Sequence, residues 1–84
     1  MEHAGTVEGV AASADGKLLA TAGSEGKVRL WDARADKERA RLDLDAPAWS
    51  VALAPDGRYL AAGDHNGGVK VWEVSRLLRR KGQR

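Results

Sequence analysis

Two histidines, His3 and His65, stand among twelve carboxylates in a chain of 84 residues that contains no cysteine. These are the groups with which it could move protons or hold a metal. Without a thiolate a disulfide framework is excluded, and a structural zinc site has no support. Asp64, Asn66 and Gly68 alternate as the first ligands of a calcium loop would, but the twelfth place holds Ser75, where such a loop needs a bidentate Glu. No glycine-rich phosphate loop closing on Lys-Ser/Thr occurs, and no Gly-x-Ser-x-Gly corner. Neither histidine has the spacing of a Ser-His-Asp set. The residue types predict no catalytic group, no metal and no cofactor.

The charges are unevenly placed. The formal net charge is +2, yet Arg76, Arg79, Arg80, Lys81 and Arg84 lie in the last nine positions, and without them nine basic residues face twelve acidic ones. Such a tail could meet nucleic acid or an anionic membrane surface through salt-sensitive phosphate contacts. The one aromatic residue near it is Trp72, so a solvated terminus or a segment capping a sheet edge is the preferred reading, and nucleic acid is not a favoured partner. No apolar run approaches the ~18 residues of a membrane span, and the opening MEHAG lacks the basic and apolar regions of a secretory signal. The expectation is a cytoplasmic protein with no membrane insertion.

The elements that must position any functional side chain are set out by an internal repeat. GVAASADGKLLATAGSEGKVRLWD lies over SVALAPDGRYLAAGDHNGGVKVWE without a gap at an offset of 41 residues. The offset places Asp15-Gly16 on Asp56-Gly57, Gly26 on Gly67, and Trp31 on Trp72. A fixed period of this size marks units that cannot bury their apolar faces alone and need neighbours. Each copy alternates apolar and polar residues in three segments, 8–13, 18–22 and 28–32, then 49–54, 59–62 and 69–74, with Gly-containing turns between them. Asp-Gly makes hairpin corners because Gly accepts positive φ and the Asp side chain bonds nearby amides. Between the copies, 33–37 reads as a turn and 38–44 as a charged outer strand, although Ala, Arg, Lys and Glu also suit a helix over 33–42. After Val74 the sequence SRLLRRKGQR offers Ser75 as a helix cap and Leu77 and Leu78 as apolar anchors. A fourth strand in the second copy is therefore uncertain.

These motifs resemble the WD-repeat β-propellers. The corners Ser-Ala-Asp-Gly and Ala-Pro-Asp-Gly and the closing pairs Trp31-Asp32 and Trp72-Glu73 carry the resemblance, over roughly residues 3 to 74. It implies an all-β fold of two four-stranded antiparallel blades, the second short of its outer strand, making an incomplete propeller. The units are 1–45 and 46–75, followed by the basic tail 76–84. The family's buried set of His, Ser/Thr, Asp and Trp maps onto His3, Ala22, Glu25 and Trp31, and in the second copy only Trp72 is kept, so the polar network is expected to be weak or absent. Trp31, Asp32 and Trp72, with Asp15, Gly16, Asp56 and Gly57 at the corners, are structural.

Two blades cannot close a ring. Identical chains would close it in threes or fours, giving six or eight blades by head-to-tail contact. The start at Met1 beside a repeat boundary favours that outcome, and the eroded polar set favours a fragment of a longer repeat protein. The functional expectation is a non-catalytic protein–protein interaction module. Its rivals are a self-assembling structural subunit or gene fragment with no outside ligand, and nucleic-acid or anionic-surface contact through the tail. Trp49 aligns with Glu8, so its position tolerates both an indole and a carboxylate and belongs at a rim, where tryptophan is a frequent binding anchor. Ser24 and His65 occupy matching turns beside it. With Glu2, Glu8 and Asp45 they would form a mildly acidic face suited to a basic or polar peptide.

Overall fold

The computed structural model describes residues 5–44 and 46–82, with side chains as far as Leu78. His3, Glu2 and Asp45 lie outside the described residues, as do Arg84 and the side chains of Arg79, Arg80 and Lys81.

Four strands, β1 (Val7–Ala12), β2 (Leu18–Gly23), β3 (Lys27–Asp32) and β4 (Lys37–Asp43), form one antiparallel sheet in that order. A second sheet holds β5 (Ala48–Leu53), β6 (Tyr59–Asp64) and β7 (Val69–Glu73), followed by the helix α1 (Val74–Gly82). The two sheets repeat each other's hydrogen bonds at the sequence offset. Ser13 N–H donates to Leu18 O at 3.0 Å and Ala54 N–H to Tyr59 O at 2.9 Å, while Gly16 and Gly57 N–H reach Ser13 O and Ala54 O at 3.0 and 2.8 Å. Ala33 N–H to Lys17 O at 2.9 Å matches Val74 N–H to Arg58 O at 2.8 Å.

Beyond that bond the copies part. Asp32 Oδ1 accepts from Arg34 and Ala35 N–H at 3.0 and 3.1 Å, closing a turn that feeds β4. The 33–42 segment is thus turn and strand rather than helix, with Leu42 buried and Ala40 half-buried in line with strand alternation. Glu73 stands in the place of Asp32 with a longer side chain, which pairs with Arg76 at 3.0 Å as the chain winds into α1. Val74 and Leu77 are buried by that helix. The segment expected as a separate tail from residue 76 therefore begins inside an element that contributes to the core.

One apolar cluster joins the sheets: Ala20, Ala22, Val28, Leu30 and Leu42 from the first, Ala48, Leu60 and Ala62 from the second, with Leu44, Val74 and Leu77. Side chains directly opposite on paired strands share a face, so Ala22, Val28 and Leu42 lie on one side of the first sheet, with Ala20, Leu30 and Ala40. The same register in the second sheet puts Ala61 with Val71 and Gly63 with Val69. Val28 and Leu30 are 0% and 1% exposed, whereas their repeat counterparts Val69 and Val71 are 71% and 62% exposed. The second sheet meets the first with its opposite face, that of Leu60 and Trp72. The packing is head to tail, and one copy of the buried face is left open.

The inner strands approach closely. A Cβ at Gly9 would stand 3.2 Å from Ser50 Cα, and Ala14 N–H crosses between sheets to Pro55 O at 3.1 Å.

Candidate functional site

Glu8 and Trp49 occupy equivalent irregularities. The β1–β2 register slips between Val7 and Gly9, and the β5–β6 register slips between Ala48 and Ser50. A bulge leaves one residue out of the ladder and re-aims its side chain. Trp49 is 56% exposed, and its ring meets that of His65 edge-on, with centroids 4.8 Å apart and planes at 73°. Such geometry places the positive edge of one ring against the negative face of the other. Of the four expected rim residues, the fold brings Trp49 and His65 together and sets Glu8 and Ser24 at the same places one unit earlier.

The two turns differ in a paired way. Ser24 N–H donates to Thr6 O at 2.8 Å and Thr6 N–H donates back to Ser24 Oγ at 2.9 Å. In the second copy His65 N–H donates to Pro47 O at 2.9 Å, but Pro47 has no N–H to return. A hydroxyl at position 65 would have no such donor to serve, and an imidazole stands there instead. The Ser24 hydroxyl thus accepts an exposed bond from the Thr6 amide at the turn position that His65 holds in the second copy.

At the corners, Asp15 Oδ1 accepts from Ser13 Oγ at 2.6 Å and from Lys17 N–H at 3.0 Å. These bonds, the serine's first, hold its carboxyl below the usual carboxylate range. Asp56 accepts from Arg58 N–H at 3.0 Å. Asp32 is likewise depressed, first by the Ala35 amide. Asp64 Oδ1 is turned onto its own turn, accepting from Asn66 and Gly68 N–H at 2.9 and 2.8 Å. Among the described residues no group of three or more His, Asp or Glu could hold a metal ion.

The buried polar pair corrects one sequence reading. Trp31 Nε1 donates to Thr21 Oγ1 at 2.9 Å in a buried setting, so Thr21, not Ala22, fills the hydroxyl place. Ala22 pairs with Val28 on the opposite face. Strand parity carried the signal: Leu19 stands across from Trp31, and Thr21 follows two residues on, on the same side. In the second copy the offset puts Ala62 at that place, and Trp72 is half-buried against the core.

Sequence reasoning also missed a charged lattice on the first sheet. Arg29 reaches Glu25 at 3.3 Å and Glu38 at 3.9 Å, and Arg41 binds Glu38 at 2.8 Å. Glu38 raises the Arg41 value, and Lys27, hydrogen-bonded to Asp43, lowers that carboxyl.

The family model described as "WD domain, G-beta repeat" matches residues 1–32 and 43–73. The chain belongs to the WD40 family. No curated protein matches its sequence. Among solved structures, the β-propeller domain of Myceliophteria thermophila Cps50 (Swd1) superposes with a TM-score of 0.81 at 23% identity, over 88% of this chain and 24% of that one. The WD40 chain therefore spans about a quarter of that structure and shares its fold. An all-β pair of antiparallel sheets, of four and three strands, is an incomplete propeller. WD40 repeats support a protein-interaction module, and no described helix is long and apolar enough to cross a membrane.

Proposed function

We propose that this WD40 chain is a non-catalytic protein-interaction module whose incomplete propeller is finished by further blades, from other copies of itself or from a longer chain. The supporting observation is the open face of the second sheet: Val69 and Val71 are exposed where Val28 and Leu30 are buried. Identical chains would join head to tail as a trimer or tetramer, giving six or eight blades. The units are 1–45 and 46–75, with 76–84 attached to the second through α1. Trp49, His65 and Glu8 form the contact rim for a basic or polar peptide, held rigidly by the bulges and turns so that binding orders little. Ser24 belongs to the same rim, at the turn that matches that of His65. The setting is cytoplasmic. Contact with nucleic acid through the last residues is disfavoured, because Leu77 is committed to the core.

Light scattering on a size-exclusion column tests this reading. A single species with the mass of three or four chains is expected. A folded, compact monomer that persists at high concentration overturns completion by identical chains.

A further inference from the structure

Among the described residues β7 has one hydrogen-bonded neighbour strand, β6, whereas its counterpart β3 is flanked by both β2 and β4. The helix α1 leaves β7 at Val74 and sends Leu77 inward, while Val69, Lys70 and Val71 stay exposed. Blades added to the ring would cover sheet faces. Among the described residues the β7 edge lies at the side of its sheet, apart from the faces that added blades would cover.

The first sheet shows what a strand at this edge would meet. In β4, Leu42 lies opposite Val28, Arg41 opposite Arg29 and Ala40 opposite Leu30. The matching places on β7 are Val69, Lys70 and Val71. Arg29 sits between two carboxylates, Glu25 on its own turn and Glu38 on β4. On the second sheet Asn66 replaces the first and no fourth strand supplies the second, so Lys70 has no ion pair among the described residues.

We propose that the exposed edge of β7 accepts an extended partner segment as an added antiparallel strand, with an aliphatic residue opposite Val69, an acidic residue opposite Lys70 and a small apolar residue opposite Val71. An unpaired edge offers backbone groups as a template. Main-chain bonds then supply affinity and alternate side chains supply selectivity. The partner is an acidic-aliphatic extended segment of another protein. The site is separate from the rim and uses the edge of β7, whereas ring completion uses the face of the same sheet, with Val69 and Val71 bordering both.

The test uses the full chain, labelled with nitrogen-15, and two seven-residue peptides: KERARLD, copied from residues 37–43, and its Arg41→Glu variant. Amide shifts are expected to move along 69–73, with the variant peptide binding about threefold to tenfold more tightly because an opposite-charge pair replaces a like-charge one across the strands. In the protein, Lys70→Glu should reverse that preference and Lys70→Ala should bring the two peptides to parity. Equal binding of both peptides, an unchanged preference in Lys70→Glu, or shifts centred away from β7 would each overturn the proposal. So would loss of peptide binding as the protein self-associates, which would give the edge to a second copy.

Discussion

Replacing Val69 with Glu and Val71 with Lys leaves the net charge unchanged and puts two charged groups on the open face of the second sheet. In the isolated chain these positions are 71% and 62% exposed, and substitutions at such sites change stability by no more than about 0.5 kcal/mol each. Docking another blade would bring them to the state of Val28 and Leu30, 0% and 1% exposed. Full burial of a valine stabilises by about 1.5–3 kcal/mol, so covering the exposed two-thirds of both is worth roughly 2–4 kcal/mol, or about 30-fold to 1,000-fold in association. Burying the introduced charges costs more again. Sedimentation equilibrium, with urea unfolding followed by circular dichroism, measures both quantities. The double variant should fold as the parent does and fail to assemble, whereas Val28→Glu should lower stability by several kcal/mol. An unchanged association constant, or a loss of folding as large as that of Val28→Glu, refutes the assignment of this face.

Thr21→Val removes the buried acceptor of the Trp31 indole at nearly constant volume and should lower unfolding free energy by about 1–2 kcal/mol in urea; a neutral result would remove that bond from the account. Gly26→Ala should destabilise more than Gly16→Ala. Both positions have positive φ, 86° and 74°, and share a strain of about 1–2 kcal/mol, but only at Gly26 does the new Cβ meet backbone, 3.1 Å from Leu44 O. Equal thermal midpoints would contradict this. Because the Asp32 value is depressed in the fold, its contribution to the turn is present above the unfolded value of about 3.9 and is lost as pH falls through the lower folded one. The amide shifts of Arg34 and Ala35 should titrate with a midpoint below that value and cease to do so in Asp32→Ala.

Most of the architecture was legible because the repeat states it twice. Asp15-Gly16 and Asp56-Gly57 gave the corners, and the alternation around Trp31 and Trp72 gave the strands, since turn chemistry and period-two patterning are local properties. The polar pair lies one residue from the place that the family pattern implies, because the hydroxyl must share the face of Trp31. Parity would have chosen Thr21. The helix was half visible in Ser75, Leu77 and Leu78. Its start at Val74 depends on Glu73 standing where the shorter Asp32 caps a turn, and that is a matter of side-chain reach rather than of composition. The bulges under Glu8 and Trp49 left no mark in residue type, because a register slip depends on the partner strand. The contact of Trp49 with His65 follows from that slip and from the turn, and only coordinates bring the two together.

Gly9 has a geometric consequence for any closed ring. Its lack of a side chain lets two innermost strands approach at the axis, and a wedge there would splay the hub, reduce the angle between neighbouring sheets and raise the number needed to complete the circle. The equivalent place on β5 is held by Ser50, whose side chain lies over its paired neighbour Gly63. In a ring of identical chains the junction at Gly9 and the one at Ser50 would differ, and such a circle would be counted in pairs rather than in single sheets.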